Sequence, residues 1–146
     1  MCNPIRFVTC ALATLTLVAC ATAPNPKAQS LVESIARKNH DIVRLTVHTV
    51  PAGSSSCRVV ASTLPSKLGK PSDKEDLDAI SRGDVVVLDE PNAIDVTVPI
   101  LLENGKATAA AGVTLKSAMG RDAAVAAARK IAAEIEQGLR LASMKK

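Results

Sequence analysis

Phe7 is the only aromatic residue among 146, and it lies in an apolar N-terminal run that leads up to Cys20. A domain built from the chain after that run must fold without Phe, Tyr or Trp. Aromatic side chains bury roughly 150–250 Å² each and dominate most cores. Here the core falls to Val, Leu, Ile and Ala, whose small volumes let a helix axis lie close to a sheet.

The first twenty residues have the layout of an export signal. Arg6 supplies a short basic region, Phe7 to Ala19 are uncharged and mostly apolar, and the small residues Ala19, Ala21 and Ala23 surround Cys20. The run is shorter than the ~20 apolar residues that cross a bilayer as a helix, and no later segment is both long enough and free of charge. Leu17-Val18-Ala19-Cys20 resembles the lipobox of bacterial lipoprotein precursors. The resemblance implies that residues 1–19 are a signal peptide and that Cys20 receives a diacylglyceryl group on its sulfur, then an acyl chain on its new amino terminus. One chain is a marginal anchor, whereas several hold durably. The alternative is an ordinary signal peptide cut after Ala23. Ala21 rather than aspartate follows the cysteine. By resemblance to Gram-negative lipoproteins, this favours the outer membrane, with the domain facing the periplasm and meeting the membrane through the lipid on Cys20.

Processing of that kind changes the inventory. Cys2 and Cys10 leave with the signal and Cys20 carries lipid, so Cys57 is the remaining candidate free thiol and no intramolecular disulfide is expected. The formal charge falls from +4 to +3 with the loss of Arg6. That balance gives no reason to expect a nucleic-acid partner. Residues 20–27, with Pro24 and Pro26, read as the lipidated cysteine and a tether, and residues 28–146 suit a single domain.

Within the domain, Leu31 and Ile35, with Val32 and Ala36 less cleanly spaced, predict a first amphipathic helix over Ala28 to Asn39. Val43, Leu45 and Val47 alternate with Arg44, Thr46 and His48, the pattern of a half-buried strand over Asp41 to Val50. A loop at residues 51–56 precedes a second strand from Cys57 to Thr63, so the two form a hairpin. Ser72-Asp73-Lys74-Glu75 fits a capping box between Ser72 and Glu75, opening a short helix to about Ser81 that stops at Gly83. Strands follow at Asp84 to Asp89 and Ile94 to Leu102, with Pro99 implying an edge or a bulge. Asn104-Gly105 predicts a tight turn into a partner strand over Lys106 to Leu115. Val125, Ala128, Ala132, Ile135 and Leu139 form the stripe of a long last helix from near Arg121. On its outer face Lys130 with Glu134 and Glu136 with Arg140 are spaced as surface ion pairs.

Helix, two strands, helix, three strands, helix is not the alternation of a parallel sheet. It predicts an α+β fold with an antiparallel sheet of about five strands. Three segments carry a resemblance to the profilin-like group of folds, which includes PAS-like, Cache-type and roadblock-type domains. They are Ser62-Thr63 ending the second strand, Lys67-Leu68-Gly69-Lys70-Pro71-Ser72-Asp73 leading into the short helix, and the Val98-to-Val113 hairpin. The body looks most like a small extracytoplasmic Cache-like or PAS-like domain. Members of that group commonly hold a small ligand between the sheet and the loop before the short helix. The resemblance therefore implies a sensor-like binding domain, with His48, Arg58, Lys67, Lys70 and the amides at the Ser72 helix start as the available polar groups. Converging cations and a helix N-terminus suit a carboxylate or a phosphate. The alternative for the same residues is a solvated basic loop balanced by Asp73, Glu75 and Asp76. A different functional class is an envelope interaction lipoprotein that offers a sheet edge or its first helix to a protein partner and holds no small molecule.

His48 and Cys57 are the sharpest chemical pair. If Val50 pairs with Cys57, His48 stands opposite Val59 and about 7 to 8 Å from Cys57 on one sheet face. That placement would allow a thiolate activated by the imidazole, or two ligands to a metal. The plainer alternative is an inert buried cysteine beside a surface histidine. No nucleophile elbow and no phosphate-cradling glycine loop is present, so no catalytic residue, metal or cofactor is expected and the chain does not read as an enzyme.

Overall fold

The computed structural model describes residues 25–143, so the expected signal peptide, the lipidation of Cys20 and most of the tether lie outside the described residues. The chain runs α1 (Pro26–Lys38), β1 (Ile42–Thr49), β2 (Arg58–Ser62), α2 (Lys74–Arg82), β3 (Val86–Glu90), β4 (Ala93–Glu103), β5 (Lys106–Lys116) and α3 (Arg121–Ser143). A 3₁₀ turn at Pro65–Lys67 lies between β2 and α2. The expected α+β architecture is observed.

Helix α1 begins inside the stretch expected to be tether. Pro26 occupies its first turn, where its missing N–H costs nothing, and the Asn25 side chain accepts from the amides of Lys27 and Ala28 at 3.1 and 3.2 Å. Ala28, Val32 and Ile35 are the residues it buries, which shifts the core stripe from Leu31 to Val32. Helix α2 is capped one residue later than expected. Asp73 and Asp76 form the capping box, and the Asp73 amide donates to Asp76 Oδ2 at 3.0 Å. Its C-terminus is at Gly83, left-handed with φ +75°.

The five strands form one antiparallel sheet in the order β2-β1-β5-β4-β3. Asn104 and Gly105 both have positive φ, +47° and +72°, as the two-residue turn between β4 and β5 demands. β3 pairs with β4 only from Ala93 to Thr97, so Pro99 faces no partner on that side and costs no ladder bond; a register shift follows at Ile100.

Alternation divides the sheet into two faces. Leu45 and Val47 of β1, Val96, Val98 and Ile100 of β4, and Val113 and Leu115 of β5 pack against α1 and α3 in one apolar core. Alanines 124, 128 and 132 of α3 are fully or nearly buried there, and the Leu31 methyls lie close against Gly138, where a Cβ would meet them at 2.6 Å. This is how a core without aromatic rings closes: small residues bring backbones together. On the outer face of α3 Glu136 pairs with Arg140, whereas Glu134 stands 3.8 Å from Lys38 of α1 rather than pairing within its helix. Helix α2 crosses the other face of the sheet. Among the described residues no helix is long and apolar enough to cross a membrane.

Candidate functional site

The face under α2 is polar by the same alternation that makes the other face apolar. Two rows run across the three central strands: Arg44, Thr114 and Asp95, then Thr46, Gly112 and Thr97. His48 stands two residues beyond Thr46 on β1, opposite Val59 of β2, in the register expected. At the sheet edge, the loop before α2 is hydrogen-bonded along β2. The Val59 amide donates to Lys70 O at 3.0 Å, the Gly69 amide to Val59 O at 2.9 Å and the Ser72 amide to Cys57 O at 3.1 Å. Arg58 Nη1 donates to Gly69 O at 3.0 Å, so this cation fastens the loop to β2.

The later start of α2 frees two side chains. Ser72, not needed as a cap, places its hydroxyl 3.0 Å from His48 Nδ1 and donates to Cys57 Sγ at 3.1 Å. Glu75, expected to reach back to Ser72, makes no hydrogen bond or ion pair with any described residue. Asp76 takes the cap and turns into the protein, where its Oδ2 lies 3.0 Å from His48 Nδ1.

His48 is therefore not a surface histidine: it is 6 % exposed. Its Nε2 is 2.9 Å from Thr46 Oγ1, which donates to Gly112 O at 3.2 Å. A carbonyl only accepts and a hydroxyl carries one proton, so Nε2 holds the imidazole proton. Burial lowers His48 to about 4 and raises the Asp76 carboxyl to about 6. Between those values the pair holds one further proton, placed between Oδ2 and Nδ1. Burial also raises the half-buried Cys57 thiol above its ordinary value. The sulfur is a hydrogen-bond acceptor here, not an activated thiolate, and it lies with His48 about one Ser72 hydroxyl.

Between this floor, the loop and α2 lies a cleft of about 360 Å³. Thr46, His48, Gly112 and Val59 lie at its base, Lys67, Lys70 and Pro71 come from the loop, and Asp73, Glu75 and Asp76 from α2. Its far end holds Arg44, which is 3.1 Å from Glu90 and 3.5 Å from Asp95; Thr114 also donates to Asp95. Arg44 is thus occupied by acids, whereas Lys67 and Lys70 pair with none among the described residues. Of the residues the sequence singled out, His48, Lys67 and Lys70 line the cleft together. Ser72 lies against His48, and neither Ser72 nor Arg58 is among the lining residues. Sequence reasoning missed Arg44, Thr46, Glu90 and Asp95 as lining residues. The β1 alternation already placed the first two on the same face as His48.

No family model matches the chain, and no curated protein matches it. Solved structures do. A segment of a methyl-accepting chemotaxis protein, residues 122 to 287, superimposes with a TM-score of 0.59 at 14% identity, over 81% of this chain and 89% of that one. The GAF domain of an Acinetobacter phosphoenolpyruvate-protein phosphotransferase gives a TM-score of 0.56 at 16% identity over 81% and 84% of the two chains. A GAF domain/HD domain protein from Geobacter sulfurreducens gives 0.56 at 13% identity over 81% and 94%. The fold is GAF-like. That is in keeping with the PAS-like resemblance of the sequence.

Proposed function

We propose that this GAF-like domain is a binding module of sensor type, held to the outer membrane by lipid on Cys20 and facing the periplasm, that takes a small anionic ligand in the cleft beneath α2. The observation that carries this reading is the cleft itself: a polar-lined space of about 360 Å³ into which one loop brings two lysines that pair with no acid among the described residues. Ligand clefts begin at about this size. A face built only to meet a protein partner would have no need of that interior polar surface, which favours a small molecule over the envelope-interaction reading. Two of the similar structures are described as GAF domains and a third belongs to a chemotaxis protein, a setting in keeping with sensing. The lipobox residues Leu17 to Cys20 support the anchor.

No catalytic step is part of this reading. A histidine at about 4 is a weak base near neutrality, and Ser72 shares Nδ1 with Asp76 instead of meeting the opposite ring nitrogen.

Thermal unfolding with a panel of organic acids and phosphate esters tests the reading. Some member at one hundred times its Kd will stabilise the protein by about 2.7 kcal/mol. Lys67→Met/Lys70→Met will abolish that shift while changing unliganded stability by less than about 0.5 kcal/mol, since neither side chain pairs with a described residue. A folded protein that no member shifts overturns the reading.

A further inference from the structure

Lys67 and Glu75 share the cleft, and each is half-buried. Neither pairs with the other within ion-pair distance, and neither side chain bonds to any other described residue. Burying an ionised group is costly unless it finds an opposite charge or hydrogen bonds. The other ionised side chains deep in this region have met that need: Arg44 with Glu90 and Asp95, Asp76 with the Asp73 amide and the Thr97 hydroxyl. The cleft is thus left with one unmet positive and one unmet negative charge on facing elements, the Pro65–Lys67 turn and the first turn of α2, with exposed Lys70 reinforcing the positive side.

Resting on the binding reading above, we infer that the ligand is a zwitterion of amino-acid size, with its carboxylate on Lys67 and Lys70 and its ammonium on Glu75. A simple anion would satisfy the lysines and leave Glu75 unmet, beside Asp73 in an already acidic first turn. A simple cation would do the reverse. A molecule carrying both groups a few bonds apart satisfies the two sides at once, and each charge-assisted contact adds to affinity. Val59 and Pro71 supply the apolar surface for the remainder of such a ligand.

The test is calorimetric titration of the purified full chain with the L-amino acids, each set beside its deaminated carboxylic acid and its decarboxylated amine. The expected result is that an amino acid binds at least about tenfold more tightly than either of its partners. In Glu75→Gln the amino acid falls to the level of its carboxylic acid, and in Lys67→Met both are lost. Carboxylic acids that bind as tightly as their amino acids, and depend on Lys67, overturn the zwitterion and leave the anion-binding reading standing. A folded protein that binds none of the three classes overturns both.

Discussion

Gly112→Ala is expected to lower the unfolding free energy by about 2 kcal/mol, a large effect for one methyl group. Gly112 has an ordinary strand backbone and is glycine for lack of room. A Cβ there would stand 2.5 Å from Thr46 Oγ1 and 3.5 Å from His48 Nε2. Thr46 is short and β-branched, so it has no flexible tip to swing aside. Rotating it away breaks its bond to Gly112 O and strips Nε2 of its partner; an unsatisfied buried donor costs about 1–3 kcal/mol. Loss of glycine's freedom in the unfolded chain returns about 0.4–1 kcal/mol and does not close the gap. If the clash is the cause, Thr46→Ala and Gly112→Ala will be coupled: in urea titrations the double variant will be more stable than the two single effects predict by about 1 kcal/mol. Strict additivity would contradict this account of the glycine.

The second large effect is a pair of opposed pH profiles. The free histidine binds its proton with a pKa of 6.5 and the free aspartate at 3.8, while burial in the fold moves His48 to about 4 and Asp76 to about 6. From about pH 4 to pH 6 each state therefore holds one proton on the pair, the unfolded chain on His48 and the folded protein on Asp76, so the pair adds no slope to stability. Single variants uncover the two halves. In His48→Gln only the raised carboxyl remains. The fold binds its proton more tightly than the unfolded chain does, and the stabilisation this gives at low pH is lost as pH rises through about 6. In Asp76→Asn only the lowered imidazole remains. The fold resists that proton, so stability is full above 6.5 and falls as pH drops toward 4. Each slope will amount to about 2 kcal/mol across the window, with opposite signs in the two variants. Urea unfolding between pH 4 and 7 reads this directly. Profiles that run parallel in both variants would contradict the shared proton.

What could be read from the residues was whatever local chemistry determines without ambiguity. Asn104-Gly105 admits a positive φ at both positions and joins two apolar runs, so it is a hairpin turn wherever the rest of the chain goes. Gly83 ends α2 for the same kind of reason. Polar and apolar residues alternating through Arg44 to His48 specify two faces; His48 opposite Val59 was only one of the registers open to the hairpin, and the register shift between Val47 and His48 was not legible. The start of α2 was not determined locally. Ser72 and Asp73 are both good caps, and Glu75 and Asp76 can each reach back, so the local signals are nearly degenerate. Distant groups decide between them: the Ser72 hydroxyl donates to Cys57 Sγ beside His48 Nδ1, and Asp76 turns inward against the same ring nitrogen. Burial of His48 was hidden for the same reason, because it depends on a helix that arrives more than twenty residues later. The bond from Arg58 to Gly69 O was not legible either, because the loop it fastens runs back along its own strand. The acids of the cleft, Glu90 and Asp95, come from β3 and β4, which lie across β5 from β1, and only the sheet order brings them to Arg44.

The proposed function requires a lipid-held domain that carries a small molecule beneath α2. The direct measurement is native mass spectrometry of the protein extracted from its own membranes, with release of bound material on denaturation. The account predicts a chain that begins at an acylated Cys20 and releases a small zwitterion, with that molecule absent from Lys67→Met/Lys70→Met. A chain that retains residues 1–19 without lipid, or a bound molecule indifferent to the two lysines, would contradict it.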